Sequence, residues 1–246
     1  NVELNNFGGL SSATIPVGFV FTTSLDDVTY QFVTTSEHTT LINNGVLKFT
    51  DIPVFEGTYV TNRYTVDSQN LEQKFLLNSD KADTTTLLVD VFENSSATGS
   101  STFTLAEDLT VVKSDSNNYF LQESIDGKFE VYFGDGITGK KLSDGNVVRL
   151  RYVVTNKTDA NGAQSFSTSS AISTVTDLSI LTVTSAEGGS ERESIQSIKL
   201  NAPLDYAAQG RAVSTNDFKA IVPKVYPNTK SVQVYGGEDN DVPTYG

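Results

Sequence analysis

One glycine-rich segment has a spacing that could bind phosphate. Residues 134–139 read Gly-Asp-Gly-Ile-Thr-Gly, which fits the Gly-x-Gly-x-x-Gly pattern of dinucleotide-binding proteins and follows a predicted strand. That pattern needs a helix directly after it, because the pyrophosphate binds to the amides at the helix N-terminus. Here residues 140–145 lead to another turn and another strand. The sequence therefore predicts a structural turn and no cofactor.

Acidic residues suggest two other kinds of chemistry. Asp126, Asp135 and Asp144 each precede a glycine, at a spacing similar to that of calcium-binding nonapeptide repeats. They lack the paired glycines of those repeats, and Asp-Gly pairs favour tight turns. The acidic residues 238–241 lack the glycine and glutamate of a loop-type calcium site, so a solvated turn is favoured there too. A carboxylate pair for glycoside hydrolysis stays open, since sequence does not reveal separation in space.

Other reactive residue types give no catalytic pattern. The single histidine, His38, lies in a polar segment without a nucleophile motif or metal-ligand spacing, so we expect it to be solvated. Cysteine is absent, which excludes disulfides and thiol chemistry. The sequence therefore predicts a protein that is not an enzyme.

Charge and hydropathy restrict the partners. The 246 residues carry a net charge of −13, and phosphate groups would be repelled by such an acidic surface. No apolar run approaches the roughly 20 residues needed to cross a bilayer. Nucleic acid and membrane insertion are therefore not expected.

The elements that position these residues are predicted to be mainly strands. Alternating apolar and polar residues mark Phe129–Phe133 and Val147–Val154, and similar short runs between turn signals recur along the chain. Tyr132 and Tyr152 are predicted at solvent-facing positions, where they either form an interface or pack under a loop. The predicted fold class is mainly β, with antiparallel, sandwich-like sheets and a smaller C-terminal α+β part.

The expected organisation is a connector at 1–12, a β-rich domain at 13–168 and an α+β domain at 169–246, truncated at its C-terminal end. The boundary follows a Ser/Thr-rich segment at 165–174. Methionine is absent even at position 1, and the last residues are turn-like. We therefore expect a fragment of a longer polypeptide.

Two helices and a strand are predicted in the C-terminal part. Residues 190–193 have the Ser-x-x-Glu form of a capping box ahead of an apolar run, and Pro203 is expected to end this helix. Ser214 offers a second N-cap, and Pro223 is expected to end a shorter helix. Residues 231–235 are expected to return to strand.

The order of these segments resembles the baseplate J-like family of contractile-tail proteins. Matching pieces extend from about residue 13 to residue 237, and the ordered set is more specific than any single piece. The central residues that carry the resemblance are Phe133, Gly134, Asp135, Gly136, Gly139 and Gly145. The C-terminal ones are Asn201, Ala202, Pro203, Arg211 and Asp217.

The resemblance implies a structural subunit of a phage tail baseplate wedge, located in the virion and assembled in the host cytoplasm. It implies pairing with copies of itself, as a homodimer or a ring, and binding to other baseplate wedge proteins. It implies no catalytic residues. The alternative is a calcium-dependent carbohydrate-binding or adhesin-type β module.

Overall fold

A computed structural model of the 246-residue chain describes residues 1–70, 72–226, 229 and 231–237. The protein is mainly β with a C-terminal helical part, so the predicted fold class is confirmed. The elements are β1 Val2–Leu4, β2 Ser12–Ile15, β3 Val20–Leu25, β4 Val28–Val33, β5 His38–Leu41, β6 Leu47–Phe49, β7 Phe55–Glu56, β8 Thr58–Thr65, β9 Phe75–Leu76, β10 Ala82–Phe92, β11 Ser100–Leu105, β12 Asn118–Glu123, β13 Phe129–Phe133, β14 Val147–Val154, β15 Leu178–Ile180, α1 Ile195–Ala208 and α2 Thr215–Val225.

The largest sheet has seven strands in the order β8-β14-β10-β11-β12-β13-β9. All its pairs are antiparallel except β11 with β12. Alternate residues along β14 point into a buried core: Val148, Leu150 and Tyr152 are almost fully inaccessible to solvent. This period-two pattern is what a half-buried strand requires.

Three smaller sheets surround a second core. Their orders are β15-β1-β6, β2-β5 and β3-β4-β7. Residues 1–12, expected as a connector, contain β1, which is the central strand of its sheet. This segment forms a strand because Val2 and Leu4 are both buried in the core. An apolar pattern of only three residues is too short to be recognised in the sequence.

The chain divides into two compact units, Asn1–Ala186 and Glu187–Gly246. Strand β15 pairs with β1 and so joins the first unit, although it lies after the predicted boundary at 168/169. The domain limits inferred from sequence stay a prediction.

Both helices are present, but their ends differ from the prediction. The N-cap of α1 is Ser194, whose side chain accepts a hydrogen bond from Ser197 N, rather than Ser190. Pro203 and Pro223 lie inside the helices and do not end them. A proline removes one amide donor, and here the helix continues beyond it at that cost.

The second helix and the segment after it complete the described part. Ser214 caps α2 as predicted, in a capping box with Asp217. Residues 231–235, expected as a strand, are not in a strand, and no described strand pairs with them. Among the described residues, no helix is long and apolar enough to span a membrane.

Candidate functional site

The glycine-rich segment is a compact turn. The Asp135 carboxylate Oδ1 accepts hydrogen bonds from the amides of Ile137 at 2.8 Å and Thr138 at 2.9 Å. The amides of Thr138 and Ile137 lower the pKa of this exposed carboxyl below its ordinary value. The Gly136 amide donates to the Gly139 carbonyl at 3.0 Å, so the turn closes on itself.

Gly134 is needed here because of close packing. A Cβ atom on Gly134 would lie 2.3 Å from the Thr138 carbonyl oxygen. Gly136, Gly139 and Gly145 instead have positive φ angles, of 90°, 84° and 76°. The turn also holds the loop before β12, because the Gly139 amide donates to the Lys113 carbonyl at 3.1 Å.

No phosphate-binding helix follows the turn. Residues 140–146 are not helical and lead to β14. A helix N-terminus, which would supply the amides for a pyrophosphate, is therefore lacking at this position. Phe133, at the end of β13, packs its ring against Phe75 and Phe103 in the core. The central residues that carry the resemblance form a turn, and Phe133 anchors it in the core.

The other two Asp-Gly pairs also direct their carboxylates to backbone amides. Asp126 Oδ1 accepts from the Lys128 amide at 3.3 Å, and Asp144 Oδ1 accepts from the Ser68 amide at 3.0 Å. Among the described residues, no group of three or more His, Cys, Asp or Glu side chains could hold a metal ion. These contacts match the turn interpretation. The acidic residues 238–241 lie outside the described residues.

His38 and the two candidate tyrosines are part of the strand framework. His38 Nε2 lies 3.0 Å from the Ser36 hydroxyl. Tyr132 is half-buried and stacks on Phe120 across β12 and β13. The prediction that Tyr152 faces solvent was wrong. Its ring lies fully in the core and its hydroxyl donates to Asn62 Oδ1 at 2.8 Å, because β14 directs its even-numbered residues inward.

The C-terminal residues that carry the resemblance lie in the helices or at their ends. Asn201 Nδ2 donates to Ser197 Oγ at 3.0 Å, along the same helix face. Arg211 Nε donates to the Ala208 carbonyl, at the end of α1. Asp217 Oδ2 accepts from the Ser214 amide at 2.8 Å in the capping box. Ala202 and Pro203 are exposed in α1.

Helix α1 carries an exposed apolar stripe, defined here as Ile195, Ile198 and Tyr206. The spacing of i, i+3 and i+11 places the three side chains on one side of the helix. Their exposed fractions are 71%, 46% and 82%. Within the described part of the second unit, Ala208 alone is a buried apolar residue. A helix pair with so small a core gains little from its own packing, and the stripe is a candidate interface.

A polar cluster that was not predicted lies on the face of the seven-stranded sheet opposite its main core. Asp90 Oδ2 accepts from Arg149 Nη2 at 2.9 Å and from Arg151 Nη2 at 2.7 Å. The Arg149 guanidinium also lies 4.8 Å from the centre of the Phe92 ring, and that of Arg63 lies 5.5 Å from it. We call Arg63, Arg149 and Arg151 the arginine face.

The cross-strand register explains this cluster. Asp90 on β10 is opposite Arg149 on β14, which is opposite Arg63 on β8. The alternation of arginine with buried residues along β14 was visible in the sequence. Its partner strands were not, because antiparallel register depends on long-range packing.

Two comparisons place the chain among known proteins. The sequence model of a family described as "Baseplate structural protein gp6, C-terminal domain I" matches residues 214–246. The baseplate wedge protein gp6 of Enterobacteria phage T4 is 29% identical over 131 residues, which cover 44% of this chain and 20% of that protein. The chain is therefore similar, over part of its length, to a baseplate structural protein, and it spans about a fifth of that relative's length.

Proposed function

We propose that this chain is a structural part of a phage tail baseplate wedge, that it pairs with a second copy of itself and that it binds other wedge proteins. Its location would then be the tail baseplate of the virion, after assembly in the host cytoplasm. The two similarities to baseplate proteins support this role. Membership of the baseplate J-like family, and a role without catalysis, belong to the same proposal.

The observation that carries self-pairing is the exposed stripe on α1. Burying apolar surface contributes roughly 25 cal/mol per Å², so an exposed Ile195 and Tyr206 are unfavourable in a solvated helix pair. A second copy offers the same stripe, and a two-fold axis would pack one stripe on the other. Such an interface would supply the core that the described part of this unit lacks.

Sedimentation velocity over a wide concentration range tests the proposal. We expect a dimer for the unchanged chain and a shift to monomer, by about tenfold or more in dissociation constant, for Tyr206→Asp. Leu41→Asp is the matched control, because Leu41 is 70% exposed on β5 in the first unit. A chain that is monomeric at every concentration, or a dimer that both variants weaken equally, contradicts the proposal.

The same experiment addresses the calcium-dependent alternative. We expect the sedimentation of the chain to be the same with and without a calcium chelator. Association or compaction that requires calcium would favour the carbohydrate-binding or adhesin-type module instead.

A further inference from the structure

The arginine face has more positive than negative charge. The guanidinium groups of Arg149 and Arg151 bind the single carboxylate of Asp90, whose side chain is 5% exposed, and that of Arg63 lies 5.5 Å from the centre of the Phe92 ring. Arg149 and Arg151 both donate to one oxygen of that carboxylate, so a single negative charge is shared by two cations. Arg63 is exposed and has no ion pair within the parts of the chain that the structure describes. In a chain of net charge −13, this local excess is unusual.

The guanidinium groups are already held in place. Arg149 is fixed by Asp90 and by the Phe92 ring, and Arg151 by Asp90. Their side chains remain 24% and 22% exposed, so they are accessible to a ligand. Because part of their rotamer entropy is lost before binding, further hydrogen bonds to these groups cost less.

The arginines concentrate positive charge in one place. Arg149 and Arg151 both donate to Asp90 Oδ2, at 2.9 Å and 2.7 Å, so these two guanidinium groups lie side by side. A segment with several carboxylates could contact this pair and the exposed Arg63 together. Exposed threonines line one side of this face, Thr61 and Thr65 on β8. Their hydroxyls offer further hydrogen bonds to such a segment.

We propose that the arginine face docks a carboxylate-rich segment of another protein. The surface differs from the α1 stripe, and the proposal goes beyond self-pairing by naming the chemistry of a second partner. Carboxylate and guanidinium groups form paired hydrogen bonds, which explains the choice of ligand. Binding of a nucleic-acid backbone is disfavoured, because three arginines form a short patch and a nucleic-acid site has a longer basic stripe.

Fluorescence anisotropy at low salt tests this docking with a labelled synthetic peptide that alternates glutamate and threonine. We expect it to bind the full chain, and a peptide with glutamine in place of glutamate to bind about tenfold more weakly or not at all. Arg63→Gln should weaken binding of the glutamate peptide by about tenfold, while Arg63→Lys should retain part of the affinity for this peptide. Lys48→Gln, on the β15-β1-β6 sheet, is the charge-matched control.

Several results would overturn the proposal. These are equal binding of the two peptides, an equal loss in Arg63→Gln and Lys48→Gln, or tighter binding of an oligonucleotide than of the glutamate peptide. Self-association that depends on Arg63 would identify the occupant as a second copy instead. Tyr206→Asp should leave peptide binding unchanged, so that failure of self-pairing and failure of this docking can be told apart.

Discussion

Gly57 lies so close to Val154 that a Cβ atom on Gly57 would be 2.1 Å from the Val154 carbonyl oxygen. Gly57 connects β7 of a three-stranded sheet to β8 of the seven-stranded sheet, and its φ angle is 125°. Both the contact and the φ angle exclude a side chain. The passage from one sheet to the other therefore depends on this glycine.

Gly57→Ala should lower the free energy of unfolding by about 3 kcal/mol or more, because backbone atoms of β14 would have to move. Urea unfolding followed by tyrosine fluorescence measures the change. Gly99→Ala is the control: nothing lies within 4 Å of a Cβ there, so a change within about 0.5 kcal/mol is expected. Similar losses in the two variants would show that the close approach does not exist.

Gly134→Ala and Gly145→Ala separate the two reasons for glycine in the central turn. At Gly134 the added Cβ would meet the backbone of Thr138 and Gly139 at 2.3 Å, whereas at Gly145 it would enter open space at a φ of 76°. We expect Gly145→Ala to lower the free energy of unfolding by about 1 kcal/mol, from backbone strain alone. Gly134→Ala should cost clearly more in the same urea experiment, and the reverse order would contradict the described turn.

Much of this turn could be predicted from the sequence, because its signals are local. The alternation of apolar residues predicted β13 and β14 with the bounds that they have. Which strands pair with them was not predictable: β13 pairs with β12 and β9, and β14 with β10 and β8. Those partners are chosen by long-range packing.

The same limit applies to the helices and to the candidate sites. Ser214 was recognised as an N-cap from its neighbours, but Pro203 was expected to end a helix that continues for five more residues, to Ala208. The exposed stripe on α1 depends on what packs beside the helix, and the arginine face on the register of three strands. Neither the exposure of the stripe nor the register of the three strands can be predicted from one segment of the sequence.

Asp90→Asn should reduce the free energy of unfolding by about 3 kcal/mol, because it leaves two partly buried guanidinium groups without a counter-charge. Thermal and urea unfolding measure this loss. Glu3→Gln is the comparison, since the Lys48–Glu3 pair is 3.9 Å apart and solvated on both sides, and we expect a far smaller effect. Equal effects would mean that Asp90 does not organise the arginines.

Tyr59→Phe should leave stability unchanged or raise it slightly. The Tyr59 hydroxyl is buried beside Arg151 but makes no well-formed hydrogen bond, and burial raises the pKa of this phenol, an effect that Arg151 opposes. Removing an unsatisfied hydroxyl therefore costs nothing. Tyr64→Phe is the matched control, because the Tyr64 hydroxyl donates to the Leu76 carbonyl, and its loss should cost about 1 kcal/mol in urea unfolding. A larger loss for Tyr59→Phe would reveal a partner for its hydroxyl.

Acidification should destabilise helix α2, because the Asp217 carboxylate becomes protonated. The amides of Ser214 and Val213 donate to this carboxylate and lower its pKa below the ordinary value. A group whose pKa is lower in the folded state stabilises that state fully above its unfolded pKa, near 4. The contribution is lost as the pH falls through the lower, folded pKa, because a protonated carboxyl no longer accepts both bonds as strongly.

Circular dichroism at 222 nm between pH 6 and pH 2 follows this change, since α1 and α2 are the helices of the described chain. Asp217→Ala should have less helical signal than the unchanged chain at pH 6 and a smaller further loss on acidification, because its capping box is already broken. Asp80→Ala, in the loop before β10, is the control, and its helical signal should depend on pH as that of the unchanged chain does. If Asp217→Ala and the unchanged chain lose the same helical signal on acidification, the cap does not carry the acid sensitivity of α2.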